Sequence, residues 1–374
     1  MTDSSLNDKI KHFSLDPWEN AIEPKDLYLE IKTAISSFAI VEPEQLTAMA
    51  LWVIHTYAIK APLENQLCNF SPILQISSPE KGCGKSTLRE VIERLTPRVE
   101  SLANASNASI YRLIESRLPT LFIDEADTFL ANRPELTGIL NAGYKQDGKV
   151  YRQGGKAFEE MVTFSVWCPK CIVGIGSLPE TLESRSITIK LKRKLQIETI
   201  LRINSVLRDD ENFFIDIQRK LIRFITDFEQ DLIKCTAPID HSLSDRTQDN
   251  WSSLFKIAKF IDDDTYYDAL LSAQKLSKSY KSDESIRIEL IKDMKVIFDS
   301  HESARISTVT FIAELKKMVD KGWAYLGRSG ITPFDMAKIL KHFDIYPFQF
   351  KLSDKVVRGY DKHDFEDVFN RYLS

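Results

Sequence analysis

Apolar residues change their spacing several times along this 374-residue chain, and the changes mark out its elements. The run "EQLTAMALWVIHTYAI" is apolar nearly all round and predicts a buried helix ahead of the first strand. "PILQIS" is a short continuous apolar run, the pattern of a strand covered on both faces. In "STLREVIERL", which follows closely, Leu88, Val91, Ile92 and Leu95 stand three and four apart, so a helix is predicted. From about residue 71 to 195 such signals alternate: "PTLFIDEAD", "KCIVGIGS" and "SITIKLKR" are further short strands. That alternation predicts a mostly parallel α/β sheet. Residues 196 to 298 read as almost wholly helical.

The stretch "KSYKSDES", 278 to 285, is the best internal linker. Beyond it "SIRIELIKDMKVIF", "STVTFIAELKKMV" and "TPFDMAKILKHF" predict three helices, with N-caps at Ser307 or Thr308 and at Thr332. Short strands in "YPFQFKLS" and "KVVRGY" and an amphipathic "KHDFEDVFNRYL" close the chain. Three helices with a small β-wing are what a winged-helix module requires; a small protein-docking domain is the other reading. The expected division is a helical extension at 1–48, an α/β core at 49–195, a helical lid at 196–283 and a winged-helix-like domain at 286–374.

Composition narrows the classes. With 43% hydrophobic and 28% charged residues the chain reads as an ordinary globular protein, long enough for two or three domains. A formal charge of −4 gives no global nucleic-acid signal, so DNA contact requires a local patch. The polar start "MTDSSLNDKIKHF" is no signal peptide and no stretch reads as a membrane span, which points to the cytoplasm. Of the five cysteines, Cys168 and Cys171 form "CPKC" with no second Cys/His pair nearby. Partly buried small side chains flanking a core strand account for them better than structural zinc.

The chemistry begins at "SPEKGCGKSTL". A phosphate-cradling loop needs a glycine-assisted turn, a lysine for the β/γ-phosphates and a hydroxyl for Mg²⁺. The run Gly82, Cys83, Gly84, Lys85, Ser86, Thr87 supplies these, with Pro79 standing where the first glycine usually is. A strand before and a helix after complete the unit, since a helix N-terminus attracts anions. "LFIDEAD" then delivers Asp124 to the edge of the sheet, where it can hold Mg²⁺, and Glu125 to polarise an attacking water. Ser177, ending "CIVGIG", can bond a γ-phosphate or the lytic water; a serine there is also common for structural reasons. Arg185, just before the strand of "SITIKL", suits an arginine finger reaching a neighbouring subunit's nucleotide, against a surface pairing with Glu180 or Glu183. In "KVYRQGGK", Lys149, Arg152 and Lys156 accompany Tyr151 on a flexible turn with no acid, a pattern that can follow a nucleic-acid backbone while a base stacks. A solvated hairpin tip is the alternative.

On these residues the chain resembles an AAA+ ATPase and, more narrowly, the DUF3631 family of plasmid, phage and integrated-element proteins. The phrases are "SSPEKGCGKSTL", "TLFIDEADTFL", "GILNAGYKQDGKVYRQ", "VGIGSLPETLESRSITIKLKR", "SDRTQDNWSSLFKIA" and "RGYDKHDFEDVFNRYL", spread over residues 50 to 374. The resemblance implies an α/β AAA+ P-loop NTPase core with a helical lid and a C-terminal winged-helix-like domain. It implies Mg²⁺ with ATP, Gly82, Gly84, Lys85 and Ser86 in the phosphate loop, Asp124 and Glu125 as the acidic pair, and tolerance of Pro79. It also implies small apolar residues rather than zinc ligands at 168 and 171. By fold analogy it makes Arg246, at the start of a lid helix, a second sensing arginine. The function expected is a DNA-dependent ring ATPase acting on single-stranded or duplex DNA in mobile-element replication, with a primase or defence effector as a further partner. A nucleotide-switched regulator of anti-phage defence and an ATP-governed DNA-binding initiator without unwinding are the rivals.

Overall fold

A computed structural model of the chain describes residues 15–60, 67–102, 105–130, 133–154, 160–278, 281–318, 321–326, 330–352 and 355–373. It divides into two compact units, 1–278 and 279–374. No helix among the described residues is long and apolar enough to cross a membrane.

The first unit is a mixed α/β structure around a five-stranded parallel sheet. The strands are β1 (Ile73–Ser78), β2 (Val99–Leu102), β3 (Thr120–Ile123), β6 (Lys170–Ile175) and β7 (Ser186–Lys190), in the spatial order β2-β3-β6-β1-β7. Between β3 and β6 the chain forms a separate antiparallel hairpin of β4 (Lys149–Gly154) and β5 (Glu160–Ser165). Successive residues of a strand face opposite sides. Leu74 and Ile76 accordingly enter one apolar cluster, with Phe122, Val173 and Ile189, and Ile73 enters the other, with Leu121, Ile123 and Ile172.

The first cluster is filled by helices Pro24–Phe38, Pro43–Ala58, Lys85–Leu95, Phe213–Lys234, Asp245–Ile261 and Asp263–Lys278. The helix Pro43–Ala58 buries every residue from Thr47 to Ala58, as its all-round apolar pattern predicts. It runs straight through the division expected at residue 48. The helices expected as a lid share one core with the sheet, because Trp251, Leu254 and Ile257 pack into the same cluster as Leu51 and Trp52.

The second unit holds helices Lys281–Ser300, Thr308–Lys317 and Pro333–Leu340 and a three-stranded antiparallel sheet. Its strands are β8 (Arg305–Ser307), β9 (Phe348–Leu352) and β10 (Lys355–Asp361), ordered β8-β10-β9. The helix at Lys281 begins inside the stretch expected as a linker. Ser307 caps the second helix by accepting from Thr310 N, and Thr332 and Asp335 form a reciprocal capping box on the third. A core of Ile291, Phe298, Phe311, Trp323, Tyr360 and Phe365 holds the unit together.

Candidate functional site

At the carboxyl end of β1 the chain leaves Ser78, turns through 79–84 and enters the helix Lys85–Leu95. The residue before a proline favours extended backbone, and Ser78 is in a strand, so Pro79 fits without strain. Gly82 and Gly84 both have left-handed backbone, with φ of 79° and 87°, which L side chains rarely adopt. A Cβ on either would meet nothing within 4 Å, so the surface of the loop is open. Lys85 folds over this loop: its Nζ donates to Ser78 Oγ (2.6 Å) and to the Glu80 carbonyl (3.1 Å). Ser86 and Thr87 stand in the first helical turn.

Two strands away, β3 ends and Asp124 and Glu125 follow. Glu125 has φ of 49° and opens a short helix, Ala126–Phe129, while Asp124 Oδ1 accepts from its backbone N–H (2.8 Å). Between β1 and β3 lies β6, whose end carries Gly176 and an exposed Ser177. A cavity of about 160 Å³ separates Ala126 from Gly176, Ser177 and Pro179. The phosphate-loop candidates, the acidic pair and Ser177 therefore stand on one edge of three neighbouring strands.

Arg89, which sequence reasoning missed, belongs to this edge. Its Nη1 lies 3.4 Å from Asp124 Oδ2, and its Nη2 bonds Glu93 Oε1 (2.5 Å) and Ser101 Oγ (3.0 Å). The signal was its place four residues beyond Lys85, on the same face of the helix.

Arg185 and Arg246 lie at the opposite edge. Arg185 precedes β7, its carbonyl accepting from Ile73 N at the start of β1 (2.9 Å), and its guanidinium sits 5.6 Å from the ring centre of Tyr144. Arg246 begins the helix Asp245–Ile261, as expected, yet its guanidinium is over that same ring, at 5.3 Å. The structure thus brings Arg246 and Arg185 to the same ring, at the edge of the sheet away from the phosphate loop.

The hairpin splits its candidates between two faces. Lys149 and Tyr151 point outward with Met161, whereas Arg152 turns in, pairing with Glu135 Oε1 (2.5 Å) and covering the Tyr111 ring at 5.1 Å. Lys156 lies outside the described residues. Cys168 and Cys171 are fully buried, and burial pushes both thiols above their ordinary range. The lysine between them is buried too: Lys170 Nζ donates to the carbonyls of Gly143 (2.6 Å) and Cys168 (2.7 Å). Gly143 must be glycine on grounds of space, since a Cβ there would come 2.0 Å from the Val166 carbonyl oxygen.

Residues 190–372, just under half of the chain, match the family described as "Protein of unknown function (DUF3631)". The match begins after the phosphate loop, the acidic pair and the hairpin. An "Uncharacterized 28.9 kDa protein in xis 5'region" of Saccharopolyspora erythraea is 26% identical over 168 residues, which are 44% of this chain and 62% of that one. Among solved structures, the apo A form of the NrS-1 C-terminal region aligns over 94% of this chain and 78% of its own, at TM-score 0.43 and 12% identity. "SCCmec type IV Cch - active helicase" aligns over 95% and 72%, at TM-score 0.38 and 12% identity. Superpositions this loose carry no argument about chemistry.

Proposed function

We propose that the chain is an ATP-hydrolysing, DNA-dependent motor that works as a ring of identical copies in mobile-element DNA replication, built from an AAA+ P-loop core, a helical lid and a winged-helix-like second unit. One observation carries the ATPase reading. The left-handed glycine loop with Lys85, the exposed Ser177 and the Asp124–Glu125 pair share the carboxyl edge of β1, β6 and β3, the edge at which open α/β sheets take their ligands.

The residues there fit Mg²⁺ with ATP. The loop and the first turn of the helix offer unpaired N–H groups for phosphate oxygens. Lys85 exchanges Ser78 and the Glu80 carbonyl for the β/γ-phosphates. Ser86 and Asp124 would hold the metal, which neutralises phosphate charge when bound. Glu125 orients the attacking water, and Ser177 bonds the γ-phosphate or that water.

The DNA part of the reading rests on the outward Lys149 and Tyr151 of the hairpin, which suit backbone contact and base stacking. In the second unit Lys338 on the third helix, Lys341 at its C-cap, and Lys351, Lys355 and Arg358 on β9 and β10 are exposed and suit duplex phosphates. The mobile-element setting draws on the relative from a xis 5' region.

The test is ATP binding and turnover by purified protein. Lys85→Ala should lose both while its circular dichroism is unchanged. Glu125→Gln should still bind ATP yet fail to hydrolyse it, because it retains hydrogen bonding and loses the charge. Wild-type turnover by Glu125→Gln removes that residue from its role, and a wild-type protein that neither binds nor hydrolyses ATP overturns the reading. Strand displacement then separates a motor from an ATPase of another kind.

A further inference from the structure

The carboxylate proposed to hold Mg²⁺ already has a positive partner. Asp124 Oδ1 accepts from the Glu125 N–H (2.8 Å), and Oδ2 faces Arg89 Nη1 at 3.4 Å. Among the described residues no other basic side chain comes within 4.0 Å of Asp124. Lys85, the other cation of this edge, is turned to Ser78 Oγ and the Glu80 carbonyl.

The Arg89 guanidinium serves two carboxylates at once. Its Nη2 donates to Glu93 Oε1 (2.5 Å), one helical turn on, and to Ser101 Oγ (3.0 Å) beside it on β2, while Ser101 donates to the same Glu93 oxygen. These bonds anchor one end of the fork. The other end is loose: 3.4 Å exceeds the usual N–H···O length of about 2.7–3.2 Å, and the buried Nε has no hydrogen-bond partner among the described residues. Arg89 can therefore turn toward Asp124 or away from it without leaving Glu93. The Arg89 and Glu93 side chains are only 22% and 18% exposed, so water screens their charges less than on an open surface.

Two cations then contend for one carboxylate. Mg²⁺ takes oxygen ligands at about 2.0–2.1 Å, so a metal on Asp124, held directly or through water, meets the arginine's charge at close range. Glu93 moderates that contest. With it the arginine's charge is divided between two acids, and without it the whole charge falls to Asp124.

We propose that Arg89 is a built-in counter-ion that competes with Mg²⁺ for Asp124 and yields the carboxylate when the metal arrives with ATP, while Glu93 and Ser101 hold the arginine back from closing on it. Arg89 is thus a positioning residue of the metal site. This inference rests on the ATPase reading above.

The test titrates Mn²⁺, a stand-in for Mg²⁺ whose free form is counted by electron paramagnetic resonance, into the whole chain without nucleotide. Arg89→Met removes the charge and keeps the bulk, so it should bind Mn²⁺ about 5–10-fold more tightly than the wild type, between what an exposed and a buried ion pair are worth. Adding Asp124→Asn should abolish the gain. Glu93→Gln leaves Arg89 with Asp124 as its one carboxylate, so binding should weaken by a similar factor. Arg89→Lys keeps the charge and should stay near the wild type. A purely structural clamp between the helix Lys85–Leu95 and β2 predicts otherwise, because removing either member breaks the same bond: both variants would lose stability in denaturant unfolding, and their Mn²⁺ affinities would not move apart. Unchanged affinities, or shifts of one sign, overturn the proposal. Weaker binding by Arg89→Met, which would make the arginine an aid to the metal, overturns it as well, and so does a gain that survives Asp124→Asn. The second readout is the ratio of ATP dissociation constants measured without and with Mg²⁺, which should rise for Arg89→Met and fall for Glu93→Gln. If Arg89→Met does not fold, a Glu93→Gln ratio that fails to fall overturns the proposal by itself. A wild type that binds no ATP under either condition removes the ATPase reading, while the Mn²⁺ contrast still decides whether Arg89 opposes a cation at Asp124.

Discussion

The same added methyl group should have opposite effects at two glycines of this chain. Gly84 has φ of 87° and ψ of 7°, and a Cβ there meets nothing within 4 Å, so Gly84→Ala introduces backbone strain and no clash. Left-handed backbone costs an alanine about 1–2 kcal/mol. Gly138 also has open space around a Cβ, but it lies exposed within the helix Pro134–Ala142. Gly138→Ala should therefore stabilise the protein by roughly 0.5–1 kcal/mol. Where the Gly84 strain is felt depends on the free loop. A loop that keeps its shape without nucleotide shows the loss in denaturant unfolding and none in affinity. A loop that relaxes shows it on ATP binding, as a roughly 5–30-fold rise in Kd for 1–2 kcal/mol. Chemical denaturation and ATP titration of both variants give the two parts, and for Gly84→Ala their sum should reach the full strain. A Gly84→Ala protein matching the wild type in both measurements refutes the left-handed loop as a requirement.

The hairpin and the buried histidine give the remaining tests. Lys149→Ala with Tyr151→Ala should weaken single-stranded DNA binding and reduce the salt dependence by about one phosphate's worth of counterion release; Arg152→Ala should leave that slope unchanged, since its guanidinium faces Glu135 and Tyr111. Equal slopes for wild type and the double variant would make the outer face a solvated turn. His55 sits at 0% exposure between Ser71, Ser253 and Cys68, and burial lowers its pKa to about 3 from an ordinary 6.5. Above pH 6.5 it is neutral folded or unfolded and contributes no slope. Below that only the unfolded chain takes up the proton, so stability falls by about 1.4 kcal/mol per pH unit down to pH 3. Unfolding free energies of the wild type and His55→Gln, from denaturant titrations between pH 4 and 6, should differ in pH slope by that amount, and parallel curves would contradict the burial argument.

What could be read from the chain was what depends on near neighbours in sequence. Gly82, Gly84 and Lys85 announce their loop because strand, turn and helix follow one another directly, and Ser307 and Thr332 announce caps because each bonds a backbone N–H three residues on. β2 gave no signal, since of Val99–Leu102 only Leu102 is buried, and β8 has three residues, too few for a pattern. Arg152 looked like its basic neighbours until Glu135 and Tyr111, brought up by folding, claimed its side chain.

Arg246 shows why local reading stops where it does. The start of its helix was legible, with Ser244 accepting from Thr247 N as an N-cap should. Which edge of the sheet that start reaches is decided elsewhere, by Trp251, Leu254 and Ile257 seating the helix in the cluster that holds Leu51 and Trp52 of the helix Pro43–Ala58. Asn250, one turn on from Arg246, then meets Tyr144 and the Ser184 carbonyl and fixes the register. No spacing in the sequence relates residues 144, 185 and 246. Their convergence is a product of packing, with Asn250 carrying the contact from the helix to Tyr144 and to the Ser184 carbonyl beside Arg185.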